Sequence, residues 1–313
     1  MHKIFFLTIT TILAITTLSA CGTVTDIKQQ SANHIARPAF MVDRTINAGQ
    51  FGLQAWERMH QRGAPATLYI EGDSITDLSK ESIDKDGMFG FQSSPQSPTG
   101  LGLASRDKAE NLAYLARPCQ YLKAPTKKGC DAKYWKENRF DPEVMEAYNL
   151  ALDDIAARYD ITNFHIVGFG GGANIAAVLA ATRNDIKTLR TVAGDLNPRF
   201  DLATRPTGLS STAVLALNYT DKLRTIPQHH FIGAADEVVT PGAYHSYRQA
   251  LGLSDCINYS LVQDADHHRG WIEKWPSLLN VTPKCAIVHK LDGDLPLLKD
   301  FPGNYHKGKG FNK

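Results

Sequence analysis

The sequence predicts an α/β fold, one largely parallel sheet covered by helices on both faces. Three observations carry that expectation. Short apolar runs of strand length alternate with helical runs from Thr67 to Leu279. A glycine-rich turn, Gly168-Phe169-Gly170-Gly171-Gly172, joins the apolar run Phe164 to Val167 to the helix-forming run Ala173 to Ala181. No internal repeat, low-complexity block or linker divides the mature chain, so one domain accounts for it.

Taken in order, Gly22 to about His60 reads as a polar tether followed by a helix, since Phe51 to Met59 shows helical apolar spacing. Thr67 to Glu71 is a buried strand ending in Gly72-Asp73-Ser74 and a long loop rich in Ser, Pro and Gly that runs to Gly100. Asn111 to Ala116 is a second strand, leading into Arg117-Pro118-Cys119-Gln120. Asp141-Pro142-Glu143 opens a helix by N-cap, first-turn proline and acidic first turn, carried to about Arg158. After the glycine-rich turn come strands at Thr188 to Ala193, Gln228 to Ile232 and Tyr259 to Val262, with helices near Pro241 to Leu251 and Trp271 to Leu279. His229-His230 reads as a strand-edge pair, not as ligands.

The 313 residues are 43% hydrophobic, with 34 basic and 32 acidic side chains, an ordinary globular composition. A net charge of +2 gives no electrostatic case for nucleic acid, and Lys307, Lys309 and Lys313 read as a solvated tail. No paired C-x-x-C pattern points to zinc, and no cofactor is expected.

The N-terminus is specific. His2-Lys3 is a short polar region, Ile4 to Leu18 an apolar and Thr-rich one, and Leu18-Ser19-Ala20-Cys21 follows, which resembles a bacterial lipobox. The expected organisation is a signal peptide over 1–20, a tether over 21–50 and a domain over 51–313, with Cys21 lipidated and held in the bilayer by its acyl chains. Gly22 after the cysteine points to the outer membrane, with the domain facing the periplasm. Without Cys21, four cysteines remain in an oxidising compartment, and the simplest of their three pairings is Cys119 with Cys130 and Cys256 with Cys285.

The glycine-rich turn has the frame of a nucleophile elbow, G-x-S-x-G between strand and helix, with Gly170 in the serine slot. Glycine adopts the strained apex conformation at little steric cost, so the change spares the fold and removes the covalent chemistry. The competing reading is a dinucleotide cradle of the form G-x-G-x-x-A, with Asp195 as its acidic residue, and no P-loop lysine follows. The other two members of a triad stand in the expected order along the chain. Asp236 follows the strand ending Phe231-Ile232-Gly233, and His267 lies in Asp264-Ala265-Asp266-His267-His268-Arg269-Gly270-Trp271, with His268 the alternative base. The structural alternatives are a helix N-cap for Asp236 and a solvated loop for the histidine pair.

On these stretches the chain resembles a family of bacterial α/β-hydrolases of undefined substrate. The matching segments are Tyr69 to Asp73, Ala113 to Tyr121, the elbow, Val192 to Leu196 and His267 to Trp271. The resemblance implies the α/β-hydrolase fold, Asp236 and His267 as acid and base, and an oxyanion hole of backbone amides near Asp73-Ser74 and at Gly171. It also implies a serine at the position where this chain has Gly170, so the expected product is a pseudoenzyme with an undefined small-molecule or peptide ligand. A second resemblance, to the GDSL or SGNH hydrolases, rests on Gly72-Asp73-Ser74-Ile75 and on Asp264-Ala265-Asp266-His267, and makes Ser74 the nucleophile of an active esterase-like enzyme. In a hybrid of the two, Ser74 serves the elbow's acid and base.

Overall fold

A computed structural model describes residues 24–73, 95, 98–122, 129–200 and 208–286. Its strands are β1 (Val42–Ala48), β2 (Phe51–Met59), β3 (Ala66–Ile70), β4 (Asn111–Leu115), β5 (Phe164–Phe169), β6 (Ile186–Val192), β7 (Gln228–Gly233) and β8 (Ile257–Val262). They form one eight-stranded sheet in the order β1-β2-β4-β3-β5-β6-β7-β8. Pairing is parallel from β4 through β8 and antiparallel for β1 with β2 and β2 with β4.

Helices cover both faces, as parallel strands joined by crossovers require. On one side lie α3 (Pro142–Tyr159), α4 (Gly172–Thr182), α5 (Thr220–Leu223) and α6 (Pro241–Leu251), packing Tyr148, Ile155, Ile175, Leu223 and Tyr247 against Leu53, Leu68 and Ile166. On the other lie α1 (Val24–Ala36), α2 (Thr99–Arg106) and α7 (Trp275–Leu278), packing Ala32, Leu101 and Trp275 against Trp56, Tyr69 and Phe231.

The expected N-terminal tether and helix are both corrected. Within the span expected to be a tether, Val24–Ala36 form helix α1, whose Ala32 and Ala36 are fully buried, and residues 51–59 form strand β2. Of the nine residues of β2 all but Met59 are buried, because the strand lies between two neighbours and under helices on both faces. A strand buried on both faces shows no polar alternation. Its charged residues are satisfied internally. Glu57 takes Arg44 at 3.0 and 2.7 Å, and Arg58 donates to the carbonyls of Ala39, Asp107 and Ala109. The loop expected to run to Gly100 instead ends in α2, and Trp271 to Leu279 yields only the four-residue α7. Asp141 precedes α3 but makes no side-chain cap; its carboxylate accepts from Asn138.

Both disulfides form as paired above, Cys119 with Cys130 and Cys256 with Cys285. The second ties the returning segment to the outer strand β8, where the Ala286 amide also donates to the Asp255 carbonyl at 2.8 Å. Cys21 and the basic tail lie outside the described residues, as does Ser74.

Candidate active site

The site is built at the carboxyl ends of β3, β5, β7 and β8, where ligands of open parallel sheets bind. Strand β5 ends in Phe169, Gly170 turns the chain with φ +49°, and α4 begins two residues later. The turn is pinned from three sides: the Gly170 amide donates to the Val192 carbonyl at 3.1 Å, and the Gly170 carbonyl accepts from the amides of Ala173 and Asp195. Asp195 therefore supports the turn through its backbone, a different part from the ribose contact of a dinucleotide cradle. A left-handed apex is the geometry a nucleophile elbow demands, and glycine holds it without strain.

His267 and Asp236 are brought together as expected. Asp236 Oδ2 lies 3.0 Å from His267 Nδ1, while its Oδ1 accepts from the amides of Val238 and Val239 at 2.9 and 2.8 Å. The helix-cap reading of Asp236 is corrected: the next helix, α6, has Thr240 at its N-cap, and the Asp236 bonds to Val238 and Val239 close a local turn that fixes the carboxylate facing the ring. With a carboxylate on Nδ1, the neutral imidazole carries its proton there and offers the Nε2 lone pair. A Cβ at residue 170 would stand 3.3 Å from that Nε2. The lone pair is aimed at the place where an elbow serine would present its hydroxyl.

The loop carrying His267 is preorganised. Asp266 accepts from the amides of His268 and Arg269, and its own carbonyl accepts from the Trp271 indole at 2.7 Å. His267 is 6% exposed and His268 is exposed, stacked edge-on at 4.8 Å between ring centres. The geometry places His267, and not His268, between Asp236 and the position of residue 170. His267 pairs with Asp236, not with Asp264 three residues upstream, which departs from the D-x-x-H pattern of the second resemblance.

Asp73 brings a feature the sequence does not disclose. Its carboxylate pairs with Arg139 Nε at 2.9 Å, and Arg139 is fully buried, donating also to the carbonyls of Lys136 and Gly208. A Cβ on Gly171 would lie 2.4 Å from Asp73 Oδ1, so residue 171 has to be glycine for the ion pair to close over it. A charged carboxylate therefore borders the very amide expected to stabilise an oxyanion. The Phe140 ring lies under the guanidinium of Arg139 at 5.0 Å and of Arg117 at 5.3 Å. One residue before Gly72, Glu71 is buried and accepts from the Gly72 and Gly100 amides and from the Tyr114 hydroxyl at 2.8 Å. Burial pushes its carboxyl above the ordinary value despite those donors. Sequence reasoning passed over Glu71 and Arg139; an acid closing the apolar run Thr67 to Ile70 is the signal that marks Glu71, whereas Arg139 stands in a polar stretch and carries none.

His229 and His230 are interior residues of β7, which has a neighbour on each side, and not edge residues. Burial drives His229 down to about 4 and His230 to about 3. His230 is held between Thr191 and Gln228 at 2.8 and 3.0 Å, a structural network.

The sheet order, the turn and the Asp236–His267 pair define the class: this chain has the α/β-hydrolase fold. Solved structures agree. Est1E from Butyrivibrio proteoclasticus superposes with a TM-score of 0.51 at 14% identity, over 76% of this chain and 97% of that one. An esterase of Pyrococcus furiosus, Pf2001, gives 0.53 at 12% identity, over 78% and 92%. An alpha-beta serine hydrolase homologue from Coxiella burnetii gives 0.51 at 13% identity, over 76% and 95%. No family model matches the chain and no curated sequence does.

Proposed function

We propose that this chain is a lipid-anchored α/β-hydrolase-fold protein, related to ester and amide hydrolases, that binds a small-molecule or peptide ligand without covalent serine chemistry. One observation carries the reading: the apex of the elbow is Gly170, directly before the Nε2 of a histidine already oriented by Asp236. Acid and base stand in place, and the hydroxyl they would activate is missing. The His267 lone pair can then accept a hydrogen bond from a ligand hydroxyl or amide at that spot, while the Asp236 carboxylate keeps the ring in one tautomer. The esterase names among the structural neighbours favour a ligand with an acyl group. Anchoring rests on Leu18-Ser19-Ala20-Cys21, with the domain on the periplasmic side of the outer membrane. No helix among the described residues is long and apolar enough to cross a membrane.

A second reading, hydrolysis by Ser74, is favoured by the position of its neighbours: the Gly72 Cα lies 3.6 Å from the Cβ position of residue 170, and Asp73 packs on Gly171. Labelling of the intact protein with a fluorophosphonate, followed by peptide mapping, separates the two. The binding reading expects no modified serine. Stoichiometric modification of Ser74 that requires His267 replaces it with the enzyme reading.

A further inference from the structure

The N-terminal helix leaves one face in solvent, and that face has an unusual end. Helix α1 buries Ala32 and Ala36 and presents Ile27, Gln30 and His34 outward at helical spacing, with Arg37 exposed just past its end. The chain then turns through Phe40, whose amide donates to the Arg37 carbonyl at 2.9 Å, while the Met41 amide donates to the Ala36 carbonyl at 3.1 Å. This is the bond pattern of a Schellman stop, whose turning residue is left-handed and usually glycine. Here it is phenylalanine at φ +58°. Bulky side chains are rare in that conformation, and this one gains nothing inside the fold in exchange, being 76% exposed. Val42, two residues on, is 69% exposed, and Ile27 is 55% exposed at the other end of the same stripe.

Between Ile27 and Val42 the sequence has no carboxylate; Asp26 stands one residue before it. Asp43 is exposed as well, but strand alternation sends it to the side opposite Val42. Only two residues separate Cys21 from Val24, so their Cα atoms lie at most about 11 Å apart. The whole of α1 is about 20 Å long. A bilayer holding an acylated Cys21 is therefore within reach of the full stripe.

We infer that this face, Ile27 through Phe40 and Val42, lies on the outer-membrane surface, with Phe40 and Val42 entering the boundary between headgroups and acyl chains. The inference rests on the lipid anchor proposed above and adds an orientation to it: the corner of the fold made by α1 and the start of β1 meets the membrane, and Leu253, before β8 at the opposite edge of the sheet, lies away from it. Seven strand spacings separate the two edges, about 33 Å.

The test uses the mature full-length protein in vesicles of phosphatidylethanolamine and phosphatidylglycerol containing brominated acyl chains. Mass analysis of the N-terminal peptide first reads acylation of Cys21. Phe40→Trp and Val42→Trp are the reporters, Leu253→Trp is the control, and the four native tryptophans, all buried, supply a constant background. Leu253 is 65% exposed and lies shortly before β8 at the far edge. The expected result is at least twofold quenching of the added emission at 40 and 42 and none at 253. Acylated, vesicle-bound protein with no quenching at 40 or 42 overturns the orientation and leaves the anchor standing. Equal quenching at 253 overturns it also, and so does a dimer that shields position 40 from lipid. A chain without acyl mass that stays in solution removes the tether and overturns both readings.

Discussion

Replacing Gly170 by serine tests whether the site is a hydrolase lacking one hydroxyl. The Cβ would meet His267 Nε2 at 3.3 Å and Cε1 at 3.6 Å, so the ring has to give by only a few tenths of an ångström. The hydroxyl, one bond further out, falls within hydrogen-bond reach of Nε2. The cost is conformational, because serine must take φ near +49°, worth about 1 to 3 kcal/mol. For a domain of this size that lowers Tm by roughly 3 to 9 °C. On the gain side, loss of the nucleophile from a serine hydrolase costs about a millionfold in kcat. Full recovery is not expected, because the Asp73 carboxylate on Gly171 opposes a developing oxyanion, although Arg139 at 2.9 Å offsets much of its charge. We expect Gly170→Ser to raise kcat/KM on a short activated ester by at least about a hundredfold, to create fluorophosphonate labelling at residue 170, and to lose both on His267→Ala. A folded variant with no gain across a panel of short esters would refute the reading of the elbow. A gain that survives His267→Ala would transfer the base to His268.

Other consequences are open to measurement. Asp73→Ala strips a carboxylate from the fully buried Arg139 and is expected to cost about 3 kcal/mol, read as a lower urea midpoint. Gly171→Ala forces the same ion pair open from the other side. The two changes should therefore add to clearly less than their sum, and strict additivity would show that they do not share the contact. His229 and His230 are held neutral, near 4 and 3, so the unfolded chain takes up protons first as pH falls. Their contribution to stability is complete above about pH 6.5 and is lost toward pH 4 and 3, at up to about 1.4 kcal/mol per pH unit for each. Glu71, raised by burial, works the other way: its contribution is present in acid and lost as pH rises through its raised value. His230→Gln should reduce the acid slope of the urea-derived stability by close to one proton, and an unchanged slope would contradict the assignment.

The parallel half of the fold was legible because its strands are separated by helices with strong punctuation: Asp141-Pro142 before α3, the glycines before α4, Pro241 at the start of α6. Asp236 and His267 were legible because each follows a strand in triad order. Strand β2 was not, since burial on both faces erased the alternation that distinguishes strand from helix over Phe51 to Met59. The Asp73–Arg139 pair was hidden for another reason. It joins positions 66 residues apart, and no local pattern encodes which acid meets which base across a sheet.

The Cys256–Cys285 tie has a meaning beyond stability. The segment it holds lies beside the first residues of β8, an outer strand whose unpaired amides and carbonyls could accept a strand from another chain. In a reducing compartment such a staple does not persist. Its reduction would release residues 285–286 from Asp255 and Cys256 and leave the start of that sheet edge open to a strand from another chain, and oxidation closes it again.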